Sequence, residues 1–229
     1  MNLKKINIIV VAGPFMLMLI LAGCITPKKM NGWVANQYGE TVKVRKIKSD
    51  YVTISSPLIV EDPVPSTSTK KTKKVLPLLF YWKIDYQTSC ILNPAIPINL
   101  FTTAFATQAN SKGLKQKLNG AKMELTIHKI PNSFSFNDDL TLIWLILAKI
   151  SWEKLYLLPE NRDMLISYRV IKDDKEMKSG ELILQDDNKL KQTKFLQSVK
   201  NATSQYFVQF DENMKVMAKS AVEQLIAEL

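Results

Sequence analysis

Histidine occurs once, cysteine twice and glycine seven times in this chain of 229 residues. One histidine leaves little material for a multi-histidine metal site, and seven scattered glycines supply no phosphate-cradling loop. Two cysteines exclude a disulfide-dense mini-protein. Gly-x-Ser-x-Gly, Cys-x-x-Cys and His-Glu-x-x-His patterns are missing too, so the usual motifs of hydrolases, thiol oxidoreductases and zinc proteases do not occur. No cofactor is expected. What is present is 46% hydrophobic and 23% charged residues, enough apolar material for one globular core. Lysine and arginine number 31 against 21 acids, for a formal charge of +10 that bears on partners more than on fold. Nucleic acid is not expected as a partner, since most aromatics lie in apolar segments without interleaved arginines.

The amino terminus is the most informative segment. Lys4 and Lys5 precede residues 6–22, which are apolar apart from Asn7 and are broken by Gly13 and Pro14. That order of charged and apolar regions is the layout of a secretory signal peptide. An uncleaved membrane helix is the weaker reading, because the run falls short of the ~20 residues that cross a bilayer comfortably. Leu21-Ala22-Gly23-Cys24 closes the run and resembles the lipobox of bacterial lipoproteins. The resemblance implies a signal peptide over residues 1–23, diacylglyceryl attachment at the Cys24 thiol, and a lipidated tether over residues 24–40. Small Ala22 and Gly23 would let a peptidase approach the backbone, and Cys24 is the only soft nucleophile nearby. Ile25 and Thr26 follow, with no aspartate. By the family's sorting rule this implies an outer membrane address facing the periplasm in a Gram-negative cell, or the plasma membrane in a Gram-positive one. A lipidated Cys24 leaves Cys90 unpartnered, and Cys90 then reads as a small buried hydrophobe.

Beyond the tether, residues 41–229 read as a single domain. Residues 41–47 and 51–56 alternate valine, isoleucine and polar residues around Lys48-Ser49-Asp50, which predicts a hairpin. Residues 61–74 are mostly Pro, Ser, Thr and Lys, including Lys70, Lys71, Lys73 and Lys74, and read as a flexible, solvated basic loop. Residues 75–92, with Phe80, Tyr81, Trp82, Ile84 and Tyr86, predict one long buried strand. Asn99 can cap a helix that ends between Gly113 and Gly120. Residues 123–130 alternate, with Met123, Leu125 and Ile127 on one face and Glu124, Thr126 and His128 on the other. Residues 140–148 read as a core segment, too short to span a bilayer. Residues 164–171 and 177–184 predict a hairpin with a polar tip, and the residues from 190 onward have helical spacing, with Met217, Ala221, Leu225 and Leu229 on one stripe. The order implies an α+β fold, a mainly antiparallel sheet with helices packed on one face.

Few residues offer chemistry. Glu124 and His128 share a strand face without a nucleophile beside them, so a surface histidine is the plainer account. The acidic pairs Asp138-Asp139, Asp173-Asp174 and Asp186-Asp187 read as turn residues before cation ligands. The lysines at 70–74 could meet anionic headgroups. The element order is similar to that of small periplasmic α+β lipoproteins of lipid-transport and lipopolysaccharide-assembly systems. That similarity implies a non-enzymatic envelope protein, membrane-bound through Cys24, that binds a protein or lipid partner in envelope biogenesis or transport. The rival expectation is an envelope hydrolase with a carboxylate or serine site.

Overall fold

The computed structural model describes residues 25–45, 49–59, 62–145, 148–185, 191–192 and 198–229. The signal segment, Cys24 and Asp186-Asp187 lie outside them. The chain is α+β, with 36% helix and 42% strand, and its helices pack against the sheets. Instead of the one sheet expected, there are two.

The first sheet is built from β1 (Val52–Ser55), β4 (Lys122–Lys129), β7 (Asp163–Lys172) and β8 (Lys175–Gln185), hydrogen-bonded in that order. Alternation decides its faces. Met123, Leu125 and Ile127 are buried, as are Met164, Ile166 and Val170 of β7 and Leu182 and Leu184 of β8. The β7–β8 turn uses Asp173 and Asp174 at φ 50° and 60°, the left-handed conformations a two-residue hairpin requires and aspartate tolerates. β1 is parallel to β4, with Val52 opposite Met123. The expected hairpin over residues 41–56 is thereby corrected: residues 42–45 form no strand, and β1 finds its partner in distant β4.

Four helices lie among the described residues: α1 (Pro27–Tyr38), α2 (Ala95–Ser111), α3 (Leu114–Leu118) and α4 (Val199–Glu228). Phe101, Phe105, Met214, Met217, Ala221, Val222 and Leu225 join the strand residues in one core. The tether expectation for residues 24–40 is corrected by α1. Thr26 Oγ1 accepts from the Lys29 backbone N–H at 3.3 Å, Pro27 occupies the first turn, and Met30 and Val34 are fully buried one turn apart. Asn99 is no cap either. The second helix starts after Pro94, and the Asn99 amide instead bridges Lys43 and Arg45. The two terminal helical segments are one helix, whose stripe buries Met217, Ala221 and Leu225 and frays into solvent at Leu229.

Two local devices are testable. A Cβ at Gly180 would lie 2.7 Å from the Tyr168 hydroxyl and 2.8–2.9 Å from its ring, because Gly180 faces Tyr168 across the hairpin. Gly180→Ala should therefore cost about 1–3 kcal/mol by displacing the ring, read as a lower denaturant midpoint. Tyr38 donates to Asp211 at 2.9 Å, tying α1 to α4, and burial pushes the Asp211 carboxyl above its ordinary value. The folded chain then holds a proton where the unfolded chain has released it. Stability from this group is full below the ordinary carboxylate value and is lost as pH rises through the raised one. Asp211→Asn keeps an oxygen for Tyr38 and should flatten that decline in melts between about pH 4 and 7.

The second sheet has the order β2 (Ser66–Pro77), β3 (Tyr81–Leu92), β5 (Ser133–Leu145), β6 (Ala148–Pro159) and β9 (Lys191–Gln192). Its base belongs to the core. Cys90, Leu92, Phe134, Phe136 and Leu157 are buried there, and Phe134 meets Tyr206 and Phe207 of α4 at ring distances of 4.8 and 5.7 Å. Cys90 is the buried hydrophobe expected, its thiol pushed up by desolvation. Ser66 and Ser68 donate to Asn31 of α1 at 3.0 and 2.6 Å.

Candidate functional site

Beyond that base the second sheet continues outward as two long hairpins with no helix over them. Three expectations change here. Much of the basic segment 61–74 is strand β2. Its lysines are exposed, as a solvated segment requires, but its backbone pairs with β3 from Ser66 opposite Leu92 to Pro77 opposite Trp82. The long buried strand over 75–92 is a hairpin turning at Leu78, Leu79 and Phe80, with Leu78 N–H donating to the Tyr81 carbonyl at 2.8 Å and Tyr81 N–H returning to Leu78 at 3.2 Å. The core segment over 140–148 runs into the end of the second hairpin, where Trp144 is exposed.

Register and strand alternation divide the outer sheet into two unlike faces. Val75 lies opposite Ile84, Ile84 opposite Leu140, and Trp82 opposite Leu142, and Trp144 follows on the same side of β5. This face is apolar throughout and continuous with the core face below. Tyr86, under the Lys70 ammonium at 4.6 Å, and Asp138 mark its lower boundary. On the opposite face Lys74, Asp85, Asp139 and Lys154 form one row across four strands. Lys83 lies one row outward and meets Asp85 at 3.8 Å. Lys71, Gln87, Asn137 and Tyr156 make the next row inward. Tyr156 donates to Asp139 at 2.7 Å, and that bond, followed by desolvation, pushes the phenol up to about 12. Nearer the base, Glu160 accepts from Gln87 and Ser89. Ser135, Asn137 and Thr141 on the central strand are buried between longer neighbours on this polar side.

At the end of the first hairpin polarity vanishes on both sides. Leu79 is 85% exposed and Phe80 58% exposed, with Leu78, Val75 and Trp82 beside them. Such a contiguous apolar end, rimmed by lysines, is unusual on a surface that faces only water.

The residues singled out for catalysis do not converge. His128 Nε2 lies 2.8 Å from Ser167 Oγ, while Glu124 pairs with Arg169 at 2.5 Å, so each is satisfied by its neighbour on β7. Asp138 and Asp139 point to opposite faces of β5 and sit in mid-strand, not in the expected turn, whereas Asp173 and Asp174 do form one. Among the described residues no three His, Cys, Asp or Glu side chains gather as metal ligands. A cavity of about 630 Å³ opens between β1 and α2, bordered by Tyr51, Phe105 and Asn110. Its charges are spent on each other: Lys115 holds Asp50 at 2.6 Å and keeps that carboxyl below its ordinary value. Among the described residues no helix is long and apolar enough to cross a membrane.

Compared with known proteins, the chain matches no family model, no curated protein and no solved structure.

Proposed function

We propose that this chain is a lipid-anchored, non-enzymatic envelope lipoprotein, held to the outer membrane through Cys24, whose outer hairpins engage a lipid bilayer. The observation that carries the reading is the uncovered apolar face ending at Leu78, Leu79 and Phe80, backed by a wholly different polar face. Moving these three side chains from water into hydrocarbon contributes about 3–5 kcal/mol. Each lysine near an anionic headgroup layer adds ~1 kcal/mol, and Lys70, Lys71, Lys73 and Lys74 stand at the level where the hairpin would leave the bilayer. Trp82 and Trp144 have the amphipathic rings favoured at bilayer interfaces. A lipid partner thus accounts for both the apolar end and the basic rim, whereas a hydrolase would account for neither.

Hydrogen exchange of the full chain with and without anionic vesicles tests this reading. Amides of residues 76–83 should exchange more slowly with lipid present, while those of the β7–β8 hairpin keep their rates. Unchanged exchange at residues 76–83 would refute bilayer engagement, whatever the state of the anchor.

A further inference from the structure

Deep insertion of these hairpins raises a problem that one copy does not solve. Residues 137–145 of β5 and 148–156 of β6 extend beyond the buried base. Each stretch rises about 30 Å, or about 23 Å when tilted by ~40°, close to the ~25 Å apolar band of a barrel in an outer membrane. At that depth the row Lys74, Asp85, Asp139 and Lys154 would lie in hydrocarbon. Both flanks are open as well. No described strand pairs with the outer side of β2, and β6 meets β9 only at Tyr156 and Leu157, near the base. Unpaired backbone groups and bare charges are both excluded from a bilayer interior, which admits strands only as closed barrels.

Strand direction supplies the closure. β2 runs toward the hairpin end, β3 away, β5 toward and β6 away, all antiparallel to their neighbours. The β6 edge of one copy set beside the β2 edge of the next therefore continues the same antiparallel pattern, a head-to-tail contact that closes into a ring. Building on the proposed bilayer engagement, we infer that several copies of this chain pair β6 to β2 into one transmembrane barrel, with the apolar face toward lipid and the polar face lining a water-filled lumen. A barrel needs about eight strands or more, so a minimum of two copies is required. Each copy gives the outer lumen Lys71, Lys74, Lys83 and Lys154 against Asp85 and Asp139. The excess of lysine makes the passage favour small anions.

Planar-bilayer recordings of the full chain, with copy number counted by stepwise photobleaching of a fluorescent label, test the inference. The expected result is stable conductance steps from assemblies of two or more copies, with chloride preferred over potassium in a salt gradient. Lys74→Glu with Lys154→Glu, two exposed positions outside the core, reverses the sign of the lumen charge and should reverse the sign of the reversal potential while conductance persists. Lipid-dependent protection of residues 76–83 from single copies, without conductance, would overturn the barrel and leave bilayer engagement standing. Loss of that protection would overturn both. Conductance whose ion preference ignores the double substitution would overturn the lumen assignment.

Discussion

A chain of residues 25–229 carrying Leu79→Asp with Phe80→Asp should bind anionic vesicles on the order of a hundredfold more weakly than its parent and melt at the same temperature. Both side chains are largely in water, so their loss removes few folded-state contacts, and exposed substitutions of this kind usually change stability by less than about 0.5 kcal/mol. In the bilayer the change is large. The substitutions delete most of the transfer free energy of the hairpin end and place two carboxylates where hydrocarbon would be, a loss of at least ~3 kcal/mol, or more than a hundredfold in partition. The fragment is a fair subject, since the core and its covering helices lie within the described part of residues 25–229. Undiminished vesicle binding by this variant would place the contact elsewhere. A lowered melting temperature would show that Leu79 and Phe80 support the fold.

Leu225→Asp should abolish cooperative folding or lower the melting temperature far more than Leu225→Ala. Leu225 is fully buried on α4, on the same stripe as Met217, Ala221 and Val222. Truncation to alanine costs about 2–5 kcal/mol through lost transfer energy and an unfilled cavity. Aspartate adds the burial of a carboxylate among apolar neighbours, which it escapes only by taking up a proton or by pulling the helix away. Against a total stability of about 5–15 kcal/mol this is a large fraction. Thermal unfolding followed by circular dichroism measures both variants, and an unchanged transition for Leu225→Asp would refute the core position of α4.

The inner half of the molecule was legible in the sequence because each element there buries one face. Met123, Leu125 and Ile127 alternate with polar residues, and Met217, Ala221 and Leu225 recur every four, so period alone gives strand and helix. The outer sheet defeats the same reasoning in two opposite ways. Apolar residues over 75–82 and 140–144 look like core because hydropathy does not say what covers a face. Lysines and threonines over 66–74 look like a loop because an edge strand held by β3 on one side needs no apolar residue of its own. The first helix was also obscured. Thr26, Pro27, Met30 and Val34 carry a readable start and spacing, but Asn31 and Gly32 between them suggest a loop. The candidate site was missed for the same reason as the outer sheet: Leu78, Leu79 and Phe80 read as mid-strand. The available clue was the change in side-chain pattern around Pro77, where polar residues precede and apolar ones follow.

The central claim is that the apolar face of the outer sheet meets lipid. The most direct measurement is the fluorescence of Trp82 in a full chain whose Trp33, Trp144 and Trp152 are replaced by phenylalanine, reconstituted in vesicles with brominated acyl chains. Trp82 emission should be strongly quenched relative to vesicles of unbrominated lipid, while a companion chain keeping only Trp33, which packs against the core, should be unaffected. Equal Trp82 emission in the two kinds of vesicle would contradict the account.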